Sequence, residues 1–172
     1  MKLVIATGNR NKITEIKNKF YGLSGIEVIP LTEFKKIPEI IEDAETFTGN
    51  ALKKARIIRD FTGLAAMADD SGLAVDALNG EPGVYSARYG GEGLTDEKRY
   101  LLLLEKMKGI IPENRNARFI CCIALALPDG REFTAEGTCE GIITDKPSGE
   151  NGFGYDPVFF VSEFGKTMGE LT

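Results

Sequence analysis

The chain contains no histidine. That absence removes Ser–His and Cys–His nucleophile pairs and any His-ligated zinc, so proton transfer must fall to a carboxylate, lysine, tyrosine or water. Cysteine is scarce. Cys121, Cys122 and Cys139 are the only three, an odd number without C-x-x-C spacing, which points to reduced, mostly buried thiols and a cytosolic setting. Cys121 and Cys122 are adjacent in a strand-like run and are expected on opposite faces. No segment reaches the length of a transmembrane helix. The opening MKLVIATGN is too short and too quickly polar for a signal peptide and reads as a first strand. Basic charge is not in excess either: 21 Lys and Arg stand against 26 Asp and Glu, a net charge of −5. A nucleic-acid backbone binder would show the opposite balance, although a local basic pocket for one small anion remains compatible with it.

What is present suits a soluble globular protein. The 172 residues make one domain or two closely packed lobes, with 42% apolar and 27% charged residues, enough for a substantial core. Lys2–Ala6 reads as a buried strand, followed by a turn at Thr7–Asn9 and a helix to about Phe20. Ile13, Ile16 and Phe20 mark the core face of that helix. Ile26–Pro30 is a second strand. A helix from about Thr46 to Phe61 follows, with Phe47, Ala51, Ala55 and Ile58 as its apolar stripe. Leu64–Ala68 and Leu73–Leu78 read as short strands flanking an acidic turn. Residues 79–94 are a loop, and Thr95-Asp96-Glu97 opens a helix with a hydroxyl cap and first-turn acids. Ala117–Leu127 and Arg131–Ile143 are long strands joined at Pro128-Asp129-Gly130, a hairpin signal. A Gly-rich loop over 144–156 precedes the apolar run Val158–Val161. Strand–helix–strand–helix followed by a hairpin predicts an α/β fold with a mixed sheet flanked by helices.

Four places carry chemistry. Thr7-Gly8-Asn9-Arg10-Asn11-Lys12 joins a strand to a helix. Free amides at a helix start bind anions, and Lys12 adds a point charge; an Asn cap beside a solvated lysine is the alternative. Asn50 and Lys54 are four apart and share a helix face, and Glu42, in an acidic stretch before that helix, is one of several carboxylates that could join a metal. Asp69-Asp70 follow an apolar run, and Ser71 follows them. Oxygen ligands suit Mg²⁺, which is usually held by one or two carboxylates together with substrate phosphates. Adjacent residues of an extended chain point apart, so one of the two acids is expected to face a ligand; an acidic turn capped by Ser71 is the other reading. Phe153, Gly154, Tyr155 and Asp156 set aromatics among glycines, as a nucleobase platform would or as a turn with buried rings would.

Taken in order, ATGNRNK at 6–12, TFTGNALKKA at 46–55, MADDSGLAVDALNGEPGVYSARY at 67–89, GFGYDPVF at 152–159 and KTMGELT at 166–172 resemble the Ham1-type inosine triphosphate pyrophosphatase family. The resemblance covers essentially the whole chain. It implies two lobes with a substrate cleft between them and Mg²⁺-dependent hydrolysis of ITP, dITP and XTP to the monophosphate and pyrophosphate. It further implies Asp70 as general base and metal ligand, Glu42 as the second metal ligand, and Thr7, Gly8, Asn9, Arg10, Asn11 and Lys12 as the triphosphate turn. Asn50, Lys54 and Ser71 then become substrate contacts, and Phe153, Gly154, Tyr155 and Asp156 the base-binding segment. A cytoplasmic homodimer, with no nucleic acid or membrane as partner, is implied as well. Family members continue past the KTMGELT-like segment into a lysine-containing stretch, a Ser-His-Arg motif and a final helix, so the single domain at 1–172 is expected to lack that segment. The Maf-type nucleotide pyrophosphatases are the alternative; PGVYSARY and GFGYDP argue against them.

Overall fold

A computed structural model describes residues 1–22 and 24–171, without the side chains of Arg10 and Asn11. Seven strands form one mixed sheet in the order β2-β1-β3-β4-β5-β6-β7. They are β1 (Lys2–Ile5), β2 (Glu27–Pro30), β3 (Ala65–Val75), β4 (Asn116–Ala126), β5 (Glu132–Ile143), β6 (Phe159–Val161) and β7 (Lys166–Thr167). The helices are α1 (Arg10–Phe20), α2 (Phe47–Thr62) and α3 (Asp96–Lys106). The chain divides into two compact units, one of residues 1–70 and 121–136, the other of residues 71–120 and 137–172. Among the described residues no helix is long and apolar enough to cross a membrane.

In the first unit β1 pairs in parallel with β2, Lys2 opposite Glu27, and with β3, Leu3 opposite Ala65 and Ile5 opposite Met67. Leu3, Ile5, Ala65 and Met67 form a core to which Ile16 and Phe20 of α1 add their half-buried side chains. The expected stripe of α2 is there: Ala51, Ala55 and Ile58 are fully buried, at the spacing one helix face requires. Thr46 caps α2, its hydroxyl accepting from Gly49 N–H at 3.0 Å, and Gly63 ends it in the left-handed conformation at φ 68°, as a glycine just past a helix commonly does.

The second unit has its own core of Leu73, Val75, Leu103, Met107, Ala117, Ile143, Val158 and Phe159. Thr95 caps α3, accepting from Lys98 N–H at 3.2 Å. Strand β6 is antiparallel to β5, Ile143 opposite Phe159, and to β7, Val161 opposite Lys166. A side chain at Gly141 would collide with the Phe159 ring, so this glycine lets a large aromatic lie against the backbone. Buried Arg115 ties the end of α3 to the end of β5, donating to Met107 O at 3.0 Å, Ile143 O at 2.7 Å and Thr144 O at 2.8 Å.

Some sequence expectations fail. Of the three thiols expected to be mostly buried, only Cys122 is, with Cys121 exposed and Cys139 half-buried. The expected loop over 79–94 holds a 3-10 helix at Gly83–Arg88. Two short strands around an acidic turn at Asp69-Asp70 are instead a single eleven-residue strand, β3. The acids do not break it because each finds a cationic partner on its own face of the strand. Strand β7 and the 3-10 turn Met168–Glu170 after it are too short to show a hydrophobic period. Cys121 is exposed and Cys122 buried, the opposition that the pleat dictates.

Candidate functional site

Alternation along β3 sends its two acids to two different helices. Met67 and Asp69 share the face that packs on α1, while Ala66, Ala68 and Asp70 share the other. Asp69 pairs with Lys12 Nζ from the first turn of α1. Asp70 meets α2: Asn50 Nδ2 donates to its Oδ2 at 3.1 Å and Lys54 Nζ to its Oδ1 at 3.4 Å. The spacing of four between Asn50 and Lys54 is what lets both reach one carboxylate.

Asn50 has no exposed surface at all. Its Oδ1 accepts from Ala44 N–H at 2.9 Å, so one amide joins the segment before α2 to Asp70. Beyond Asp70, Lys54 Nζ also donates to Glu42 Oε1 at 2.9 Å. Glu42 and Asp70 therefore face one point, and a single ammonium sits near both. Asp70 is itself 7% exposed. Burial holds its carboxyl above the ordinary carboxylate range; the Lys54 charge and the Asn50 hydrogen bond pull it back down, and the nearby Glu42 charge adds to the rise.

Two convergent oxygen donors are a minimal set for a hard divalent cation. Mg²⁺ keeps several waters and takes the rest of its shell from substrate phosphates, so Glu42 and Asp70 fit it as a pair. Among the described residues no group of three or more acids, cysteines or histidines could hold a metal by itself. Glu42 and Asp70 are thus the described carboxylates that could hold such an ion, the rest of its shell coming from water or phosphate.

The turn before α1 is held by its own side chains. Asn9 N–H donates to Thr7 Oγ1 at 3.2 Å, and Asn9 Oδ1 accepts from Lys12 N–H at 3.4 Å, a cap on the helix start. Gly8 would tolerate a side chain, since a Cβ there meets nothing within 4 Å. No protein neighbour accounts for this glycine; it leaves open space over the turn. The side chains of Arg10 and Asn11 lie outside the described residues.

Ser71 and Phe153–Asp156 belong to the second unit. Ser71 continues β3 and is half-buried. The aromatic segment is a tight loop: Phe153 N–H donates to Asp156 Oδ2 at 2.9 Å, and a side chain at Gly152, with φ 77°, would collide with that same oxygen. Tyr155 is buried, and its hydroxyl donates to Ser86 O at 3.0 Å. Burial pushes its phenol well up from the usual value, despite the opposing Arg99 charge, so it stays a neutral donor. Phe153 is 39% exposed. The structure thus gathers Glu42, Asn50, Lys54 and Asp70 in one cluster, sets Lys12 on Asp69, and shapes a separate loop with one exposed ring.

Sequence reasoning did not find three contacts: the Lys12–Asp69 pair, the bond from Ala44 N–H to Asn50, and a bond from Gly154 N–H to Asp96 Oδ2 at 2.8 Å. The first had a signal, since alternation requires Asp69 to face away from Asp70; what it would meet there could not be read. Asp96 was legible only as a first-turn acid suited to the helix dipole.

A family model described as the Ham1 family matches residues 3–172. A dITP/XTP pyrophosphatase of Geobacter sulfurreducens is 51% identical over 170 residues, covering 99% of this chain and 85% of that protein. Another of the same name from Thermus thermophilus is 50% identical over 172 residues, covering 99% and 81%. Among solved structures, a nucleoside-triphosphatase / dITP/XTP pyrophosphatase of Mycobacterium abscessus is 44% identical with a TM-score of 0.88, covering all of this chain and 90% of that one. A HAM1 protein of Coxiella burnetii is 41% identical with a TM-score of 0.92, covering all of this chain and 87% of that one.

Proposed function

The chain belongs to the Ham1 family, and from that premise we propose that it hydrolyses non-canonical purine nucleoside triphosphates, ITP, dITP and XTP, to the monophosphate and pyrophosphate. The observation that carries the reading is the buried Asp70 carboxylate, aimed by Asn50 and Lys54 at the point that Glu42 also faces.

In this reading Asp70 takes the proton of a water as that water's oxygen forms its bond to phosphorus. The α–β anhydride P–O bond breaks, and the electron pair leaves on pyrophosphate. A carboxylate held above its ordinary pKa is a better base for water than a solvated one. Asn50 is too deeply buried to be a broad substrate surface; it acts through Asp70, fixing the direction of one oxygen. Lys54 offsets the charge of the two acids and of the arriving phosphates. Mg²⁺, when bound by Glu42 and Asp70 together with phosphate oxygens, would neutralise charge developing on the phosphates. Lys12, the amides of the α1 start and the turn Thr7–Lys12 take the outer phosphates. Phosphoryl chemistry of this kind depends chiefly on positioning and electrostatics, which is why the lack of histidine is no obstacle.

Phe153, Gly154, Tyr155 and Asp156 are assigned to the base and Ser71 to the substrate. The exposed Phe153 ring supports the assignment. A homodimer in the cytoplasm completes the reading; the free thiols fit a reducing compartment.

Hydrolysis of dITP, XTP, ATP and dTTP with Mg²⁺ tests the proposal. We expect kcat/KM for dITP and XTP to exceed that for ATP by about 100-fold or more, since donors built for a 6-oxo group are mismatched to a 6-amino group. A preference for dTTP, or tight dITP binding with no pyrophosphate released, would overturn it.

A further inference from the structure

The aromatic loop is held by an acid that lies far from it in sequence. Gly154 N–H donates to Asp96 Oδ2 at 2.8 Å. The other oxygen of that carboxylate, Oδ1, accepts from Arg99 Nη1 at 2.7 Å. Arg99 is buried and fixed in turn, its Nη2 donating to Leu94 O at 2.9 Å. Asp96 is the first residue of α3 and Arg99 lies one turn on, so their pairing is set by helix geometry. One carboxylate oxygen is thereby locked to the helix, and the other points at the loop.

The loop needs such an anchor. Gly152 and Gly154 have φ of 77° and 63°, and glycine at both places leaves the intervening peptides free to rotate. Other bonds also hold the segment. Phe153 N–H donates to Asp156 and Asp156 N–H donates back to Phe153 O at 3.2 Å, both within the loop itself. Asn151 N–H donates to Gly169 O at 2.9 Å, and the Tyr155 hydroxyl is fixed to Ser86 O. Ser86 is well held, its Oγ accepting from Leu73 N–H at 2.9 Å and donating to Gly83 O at 2.6 Å. The Asp96 bond joins the loop backbone next to Phe153 to α3, and it is charge-assisted, hence among the stronger kinds.

We propose that Asp96 is a positioning residue for purine recognition: through the Gly154 N–H it sets the attitude in which the Phe153 ring meets the base. The proposal rests on the assignment of Phe153–Asp156 to the base. Asp96 touches no substrate in this scheme; it reduces the ordering that binding would otherwise require of the loop.

The test is steady-state kinetics of the Mg²⁺-loaded enzyme with dITP and dATP, plus inhibition by inorganic tripolyphosphate, which has phosphates but no base. Asp96→Ala is expected to lower the dITP-over-dATP ratio of kcat/KM by about tenfold, chiefly through KM for dITP, a loss typical of one ordered hydrogen bond. Tripolyphosphate inhibition stays unchanged. Asp96→Asn keeps an acceptor for Gly154 and the size of the side chain, and recovers most of the ratio even if the alanine variant folds poorly beside buried Arg99. An unchanged ratio in both variants overturns the proposal, as does an equal loss of tripolyphosphate inhibition, which would mark a global defect. Phe153→Ala separates the two layers. If it leaves KM for dITP unaltered, the base assignment fails and the Asp96 proposal fails with it. If it raises KM while both Asp96 variants behave as wild type, only the positioning role is lost.

Discussion

The acidic cluster of the first unit and the aromatic loop of the second are built by different means. In the cluster every bond that aims Asp70 comes from a side chain on α2, and Asp70 itself sits within a regular strand. Fixed elements deliver the groups, and spacing along helix and strand sets the geometry. In the loop the aimed groups are backbone amides, Phe153 N–H and Gly154 N–H, each captured by a carboxylate. There the geometry comes from residues that no periodicity relates. A charge-bearing site gains from a stiff frame, because misplaced charge is costly in a buried setting. A stacking surface needs only one ring at one angle, and a glycine-rich loop with a few anchors suffices.

The sharpest way to break the comparison is Asp70→Asn. Turnover of dITP should fall by about 10² to 10⁴, the range of a lost general base. Stability should move the other way. Burial raises the Asp70 pKa, so the folded chain holds that proton to higher pH than the unfolded chain does. The contribution of Asp70 therefore favours folding in acid, below the ordinary carboxylate pKa, and is lost as pH rises through the raised value. Asparagine removes the charge that neutral pH would bury and keeps an acceptor for Asn50. With metal chelated, the variant should melt no lower than wild type at pH 7, and any advantage should vanish at acidic pH. Substantial residual turnover, or a clear loss of melting temperature at pH 7, would contradict the account.

How much of this was legible beforehand follows the same division. Helix α2 was readable in full: its Thr46 cap, its apolar stripe and the four-residue step from Asn50 to Lys54 are local patterns. The choice of Glu42 among its acidic neighbours was not local; it came from the family resemblance, and the structure places Glu42 on Lys54. The acidic pair was misread as a turn because Asp-Asp-Ser-Gly has turn composition. Continuity of β3 depends on Lys12 and Lys54, which lie far from it in sequence, and tertiary partners override local preference. The Gly154–Asp96 bond spans 58 residues and involves a backbone donor, so side-chain patterns carried no trace of it. The resemblance to a known family supplied the chemistry at 152–156; it did not supply the scaffolding that holds that loop.

A smaller effect probes the other face of β3. Lys12→Ala removes the charge proposed for the outer phosphates and the ammonium partner of Asp69, whose side chain is 9% exposed. KM for dITP should rise by about tenfold, and folding should weaken by roughly 1–3 kcal/mol, between the values for exposed and buried pairs. Adding Asp69→Asn should restore the melting temperature without restoring KM. If the double variant recovers both, Lys12 serves only the strand; if it recovers neither, the lost stability does not come from the Asp69 charge left without Lys12.

The smallest effect is expected at Gly152→Ala. A left-handed φ of 77° costs a non-glycine residue about 1 kcal/mol, and the added methyl would collide with Asp156 Oδ2, the acceptor of the Phe153 amide. The loop must shift, yet Asp96 still holds Gly154 and Ser86 still holds Tyr155. KM for dITP should therefore rise only about threefold, because the anchors to Asp96 and Ser86 remain, and kcat should not change, because the α2 side chains that aim Asp70 lie in the first unit. A change confined to KM would show that binding of the base and delivery of the water are set by separately built parts. A matching fall in kcat would mean that the loop also governs where the anhydride sits over Asp70, and the contrast between a stiff catalytic frame and an anchored loop would have to be given up.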